Sequence, residues 1–313
     1  MSRHGEKIRG VALSQGGAAR SSVAASWSRS LLVHGLDPDT APKPERLDHA
    51  ARQQASDRMG RLAAIASGAM DRLFAAVGES GCSVILTDAS GVIVERRGKP
   101  GDDAAFQHWG LWTGADWSEA REGTNGIGTC VVEQRPVVIH RDQHFYASNT
   151  AMSCMGAPIF DHEGEFAGVL DISSCRADLA SAFVTLLADS VTEAAGRIEA
   201  ENFQHAFAKS RIVMAGAAHN GPMLLALDQD DLVIGATRRA RKTWSLSPEN
   251  FANPRPARDI LGDGAETPDL AAAERAEIRR ALAHTQGNAS RAARALGISR
   301  ATFYRRMAQL GLR

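Results

Sequence analysis

The sequence predicts an α+β domain, an antiparallel sheet with flanking helices, followed by an all-α unit containing a helix-turn-helix. Three observations predict it. β-rich runs separated by short turns fill Gly81 to Ser173, apolar residues at helical spacing bracket them on both sides, and three short amphipathic segments with matching end signals close the chain. At 313 residues the chain exceeds what one hydrophobic core spans, so two or three domains are expected. Hydrophobic residues at 44% and charged residues at 23% exclude a collagenous, low-complexity or largely disordered protein.

The amino terminus, MSRHGEKIRGVALSQGG, is charged and lacks the apolar core of a secretory signal. No run of about 18 apolar residues is present to span a membrane, so the expected location is the cytoplasm. Cys82, Cys130, Cys154 and Cys175 form no C-x-x-C pair and read as reduced, buried small hydrophobes, with neither cofactor nor metal implied. Arginine outnumbers lysine 31 to 5, which reflects composition rather than mechanism.

Taken in order, residues 1–45 read as an amino-terminal arm and 46–203 as the sheet domain. Leu62 to Val77 has helical apolar spacing. Cys82-Ser-Val-Ile-Leu-Thr-Asp and Val92-Ile-Val-Glu read as strands joined through the Ala89-Ser-Gly turn, an antiparallel hairpin. Thr129-Cys-Val-Val, Pro136-Val-Val-Ile, Ser153 to Ile159 and Phe166 to Ile172 complete about six strands, the last two joined by the Asp161-His-Glu-Gly turn. Leu179 to Ile198 is helical again, and the two helices are expected to pair with each other or with a second subunit. Residues 204–246 read as a short connector whose Leu224 to Ala240 stretch gives strand, turn, strand and helix. Residues 247–268, rich in Pro, Gly and Asp, read as a linker.

The overall charge of zero argues at first sight against a nucleic-acid partner, but it is an average. Residues 269–313 hold nine arginines against Asp269, Glu274 and Glu277, a net +6, and the remainder carries −6. Ile278 and Leu282, then Ala292, Ala293 and Leu296, then Phe303, Met307 and Leu310 place one apolar face on each of three helices. Gly287 and Gly297 stop the first two, and Asn288 and Ser299 cap the next two. The short turn makes the last two helices cross steeply, with Ile298 at the corner and the small Ala292 and Ala293 allowing close approach. Phe303 and Met307 inward leave Arg300, Thr302, Tyr304, Arg305 and Arg306 on the outer and flanking faces, where arginine can take guanine and threonine a base edge. Asn288, Ser290 and Arg291 are placed for phosphates. A helical cap with a charged exterior is the alternative.

Asn288 to Met307 resembles the Fis-type helix-turn-helix that ends many bacterial activators. The resemblance implies that Arg300, Thr302 and Arg305 are base or base-adjacent contacts and that the protein acts as a homodimer on a palindromic site in double-stranded DNA. Upstream, Ser26-Trp-Ser-Arg-Ser, Leu86-Thr-Asp-Ala-Ser-Gly, Trp117-Ser-Glu, Glu122-Gly-Thr-Asn-Gly-Ile-Gly-Thr, Cys154-Met-Gly-Ala-Pro-Ile and Gly168-Val-Leu-Asp-Ile-Ser occur in the order of a GAF sensor domain. They are similar to the amino-terminal region of AcoR-type regulators of acetoin and related metabolism, and the connector is similar to the start of a PAS-like module. The resemblance implies a transcriptional regulator responding to a small-molecule effector, and not an enzyme. Regulators of this type normally carry an ATPase module before the helix-turn-helix. Here only a short linker precedes it, and Gly123-Thr-Asn-Gly-Ile-Gly has no following lysine to make a phosphate loop. The expectation is action by occupying DNA, as a repressor, as an activator in contact with RNA polymerase, or as a partner of a full-length paralogue, without driving sigma-54 polymerase.

For the effector, Trp109, Trp112 and Trp117 suggest an aromatic wall, or equally a hydrophobic lid. Asn125 suits either a ligand contact or a turn. His144 and Cys154 are further candidates: with His140 and Cys130 they raise a metal reading, and Cys154 a redox one if a cation depressed its pKa. A GAF-based redox enzyme acting on methionine sulfoxide, or a haem or metal-dependent sensor, is the competing class.

Overall fold

The computed structural model describes residues 2–19, 21–40, 46–176, 178–218, 221–262 and 270–312. The helices in chain order are α1 (Arg3–Ala12), α2 (Ser22–Ser28), α3 (His49–Met59), α4 (Arg61–Val77), α5 (Asp103–His108), α6 (Glu119–Glu122), α7 (Gly126–Glu133), α8 (Ser181–Ala206), α9 (Arg238–Thr243), α10 (Glu249–Ala252), α11 (Ala257–Leu261), α12 (Leu270–His284), α13 (Ala289–Ala295) and α14 (Arg300–Gln309). The strands are β1 (Cys82–Asp88), β2 (Ile93–Arg97), β3 (Val137–His140), β4 (Ser153–Phe160), β5 (Phe166–Ser174), β6 (Arg211–Ala218), β7 (Gly221–Leu227) and β8 (Val233–Ala236). The chain divides into two compact units, Met1–Ala257 and Arg258–Arg313.

The larger unit is built on a five-stranded antiparallel sheet in the order β2-β1-β5-β4-β3. Every residue of β1 and β4 is buried, because both faces of the sheet are covered. Val84, Leu86, Met155, Ala157, Leu170 and Ile172 face α4 and α8, which pack side by side as one of the two expected arrangements. Ile85, Ile93 and Cys154 face the opposite way, against Phe106, Leu111, Trp117 and Ile127.

One expected strand is a helix. Thr129-Cys-Val-Val lies in α7, so the sheet has five strands rather than about six. A short apolar run buried on one face reads alike as strand or helix, and the deciding signal is Asn125, whose side chain caps α7 by accepting the Gly128 N–H at 2.8 Å.

Three hairpins share one device. Asp88 Oδ1 accepts from the N–H groups of Ser90 and Val92, Asp161 Oδ1 from those of Glu163 and Glu165, and Asp228 Oδ1 from those of Asp230 and Leu232. Each aspartate closes the turn that its own strand enters, which fixes the pairing register.

Residues 2–19 and 21–40 of the expected arm fold with the sheet domain: Ile8 and Trp27 are buried with Phe145 and Tyr146. Residues 1, 20 and 41–45 of it lie outside the described residues. The connector carries β6, β7 and β8 as a three-stranded antiparallel sheet, of which β6 was not foreseen. Phe203 at the end of α8 packs on Leu224 and Ala226 of β7. Within the linker, Val233 of β8 donates to the Arg255 carbonyl. Residues 263–268 lie outside the described residues.

Candidate functional site

The carboxyl-terminal unit forms the expected helix-turn-helix. Ile278, Ala281, Ala292, Ala293, Phe303 and Leu310 make its core, with Leu296, Ile298 and Met307 packed against them. Asn288 Oδ1 accepts the Arg291 N–H at 3.1 Å, and Ser299 Oγ accepts the Thr302 N–H at 3.1 Å. Gly297 sits at φ +65°, the left-handed corner between α13 and α14 where a side chain would be strained.

Arg300, Tyr304 and Arg305 are exposed on α14, and Arg291 is exposed at the start of α13 beside the half-buried Ser290. Thr302 is half-buried with its hydroxyl 2.9 Å from Ser299 Oγ. Arg306 is bound to Glu274 of α12, Nε to Oε1 at 3.2 Å. Of the five outer residues, three therefore stand clear, while Thr302 and Arg306 also hold the fold.

The sensor candidates fall into two groups. Trp117 is buried with its indole N–H donated to the Gly110 carbonyl at 2.9 Å. Asn125 is fully buried, capping α7 through its oxygen and donating from Nδ2 to the Trp117 and Gly123 carbonyls. Trp109 and Trp112 are half-buried, and the Arg46 and Arg96 guanidinium carbons lie 5.6 and 4.5 Å from the Trp112 ring centroid.

Between α7 and the sheet lies a buried polar chain. His144 Nδ1 donates to the Arg141 carbonyl at 3.0 Å, which leaves Nε2 to accept from the Cys154 thiol at 3.4 Å. Ser173 Oγ stands 3.2 Å from Cys154 Sγ and 2.5 Å from Asp171 Oδ2. Burial raises the Asp171 carboxyl to about 7 and lowers the His144 imidazole to about 4. A neutral acid, a hydroxyl, a thiol and a neutral imidazole can thus donate in one direction along the chain. Asp171 Oδ1 has no hydrogen-bond partner among the described residues. A Cβ on Gly126 would lie 2.5 Å from Cys154 Cβ and 2.8 Å from Asp171 Oδ1, so the glycine lets α7 close over this carboxyl.

Burial drives the Cys154 thiol well above its ordinary value, pushes Cys130 upward and raises Cys175 to about 12 and Cys82 to about 11. None is an activated thiolate. His140 contacts Ser153 Oγ through Nδ1, away from the His144 and Cys154 contact. No group of three or more His, Cys, Asp or Glu suited to a metal is present among the described residues.

Two sets of residues escaped the sequence reading. Glu119, buried at the start of α6, takes a bidentate contact from Arg29, Nε to Oε2 at 2.8 Å and Nη2 to Oε1 at 2.9 Å. Ser26 Oγ adds a bond to the same carboxylate at 2.5 Å and lies 2.7 Å from Thr124 Oγ1. The motifs at Ser26, Trp117 and Glu122 thus meet in space, a pairing across some 90 positions that no local pattern carries. Asp171 could have been flagged, since an acid inside Val169-Leu-Asp-Ile interrupts an otherwise apolar buried strand.

The GAF domain pattern matches residues 61–198, and that of the bacterial regulatory protein, Fis family, matches residues 269–310. The chain is 33% identical over 247 residues to the acetoin catabolism regulatory protein of Cupriavidus necator, covering 77% of this chain and 36% of that protein. It is 29% identical to the acetoin dehydrogenase operon transcriptional activator AcoR of Bacillus subtilis, covering 57% and 29%. It is 30% identical to the propane 2-monooxygenase operon transcriptional activator MimR of Mycolicibacterium smegmatis, covering 55% and 28%. The chain spans about a third of the length of these curated relatives. Among solved structures, the E. coli DhaR(N)-DhaL complex contains a similar chain, with a TM-score of 0.53 at 15% identity, covering 76% of this chain and 80% of that one, a likeness of fold. The chain joins a GAF domain to a carboxyl-terminal helix-turn-helix of the Fis family of bacterial regulatory proteins.

Proposed function

We propose that the protein is a sequence-specific DNA-binding transcriptional regulator that answers to a small metabolite through its GAF domain. The observation that carries this is α14, capped by Ser299 and anchored by Phe303, with Arg300, Tyr304 and Arg305 turned outward. Asn288, Ser290 and Arg291 take the phosphate side, and the effector is a small alcohol, ketone or diol of the acetoin kind, by likeness to the relatives. It acts at the buried chain from Asp171 to His144, where the open Asp171 Oδ1 offers one hydrogen bond to a ligand that displaces α7. Regulation requires the effector to bind the DNA-competent and incompetent states unequally.

The protein works as a cytoplasmic homodimer on a palindromic site, and the cleft between α4 and α8, lined by the small residues Ala69, Ala76 and Ala194, supports pairing there. It acts by contact with RNA polymerase or a full-length paralogue and not as an enzyme. The internal stretch from α8 to α12 is only about 60 residues and carries no phosphate-loop pattern. A gel shift on its own promoter, with and without acetoin, tests the reading; retained specific binding after Arg300→Ala together with Arg305→Ala overturns it. Measurable ATP hydrolysis by the purified protein overturns the ATP-independent mode.

A further inference from the structure

A cavity lies where the GAF domain meets the connector. Its volume is about 230 Å³, and four elements wall it: the turn before β3, the end of β4, the middle of α8, and α9. Arg135, Arg238, Arg239 and Lys242 line it, and the surrounding apolar wall includes Ala157, Pro158 and Ala195. Among the described residues only Arg135 of these four has an ion-pair partner, Glu133 at 3.2 Å. Arg239 is half-buried without a carboxylate in contact, and Arg238 lies over the Phe160 ring at 3.6 Å. The one acid in the lining, Glu199, has Oε1 bound to the Phe160 N–H at 3.0 Å. Burial raises it to about 7, so near neutrality much of it carries a proton that can be donated.

We propose that this cavity binds a small phosphomonoester, its dianion held between Arg135 of the turn before β3 and Arg239 and Lys242 of α9, its short carbon stub against Ala157 and Pro158. A guanidinium matches a phosphate fork by fork, and a monocarboxylate would leave part of the positive charge of this lining uncompensated. The volume falls below the roughly 300 Å³ of a drug-sized pocket and suits a short ester better than a nucleotide. The ligand would clamp the connector to the GAF domain at a place separate from Asp171, and so tune the same output by a second signal.

The test is calorimetric titration of the protein with ethyl phosphate, inorganic phosphate and acetate, on wild type, Arg239→Gln, Arg135→Gln and, as a control outside the cavity, Arg176→Gln. The expected result is binding of ethyl phosphate, weakened roughly tenfold or more by each of the first two changes and unaltered by the third, with acetate silent. Stronger binding of inorganic phosphate than of the ester keeps the anion site and assigns its occupant to the free ion. No heat with either phosphate at millimolar concentration overturns the proposal. So does equal affinity in all four proteins, or a result in which the Arg239 and Arg135 changes weaken only non-specific duplex DNA binding.

Discussion

Glu119 is buried and its carboxylate is satisfied by Ser26 and Arg29, so its removal leaves the Arg29 guanidinium with only the single contact to Glu133 at 3.2 Å. Glu119→Ala is expected to cost about 3 kcal/mol in urea unfolding and to loosen α1 and α2, visible as faster tryptic cleavage before residue 40. Asp171 gives a pH signature. Its folded value of about 7 lies above the ordinary 3.8, so the stability it contributes is complete below about 4 and is lost as pH rises through about 7. Asp171→Asn cannot titrate. The variant should therefore gain on wild type by a few kcal/mol between about pH 4 and 7 and run parallel to it above, in denaturant midpoints measured against pH. A difference that stayed flat across that window would rule out a protonated Asp171.

At the scale of elements, legibility follows the range of the deciding interaction. The caps at Asn288 and Ser299 and the corner at Gly297 act within four residues, and the helix-turn-helix could be read from them. The Asp88 and Asp161 turns were likewise local, and both hairpins formed. Thr129-Cys-Val-Val is a helix rather than the expected strand: its three apolar residues fit either, and the choice falls to the Asn125 cap, with Gly126 letting the capped segment approach β4 and β5. Gly126→Ala should destabilise by about 1 to 3 kcal/mol, measured by thermal unfolding, because the added methyl meets Cys154 and Asp171. Strand β6 was missed since its Met214-Ala-Gly-Ala run carries no alternation, and pairing with β7 supplies the order that its own sequence lacks.

Across the whole molecule, the neutral total hides two charged parts. The +6 segment should make DNA affinity fall steeply with salt, while the −6 remainder is repelled by the same phosphates. Arg300→Ala is expected to lose about 1 to 3 kcal/mol at its cognate base pair and to relax specificity there, whereas Arg291→Ala should weaken all sequences alike and flatten the salt slope, in binding assays across a salt series. Arg306 belongs to a different class: its bond to Glu274 predicts that Arg306→Ala lowers the melting temperature as well as affinity. The aromatic candidates were legible as a group but not in their roles, since whether a tryptophan faces a cavity or a carbonyl depends on partners far along the chain.

Helix α8 runs 26 residues without a break, with Leu187, Val191 and Ile198 in the GAF core and Phe203 in the core of the next sheet. At about 1.5 Å per residue it is a shaft of roughly 39 Å whose two ends are geared to different bodies. What such a shaft transmits is angular phase. One residue inserted between Ile198 and Phe203 would advance the far end by about 100° and uncouple it, while four residues would bring it nearly back to its original bearing some 6 Å further out.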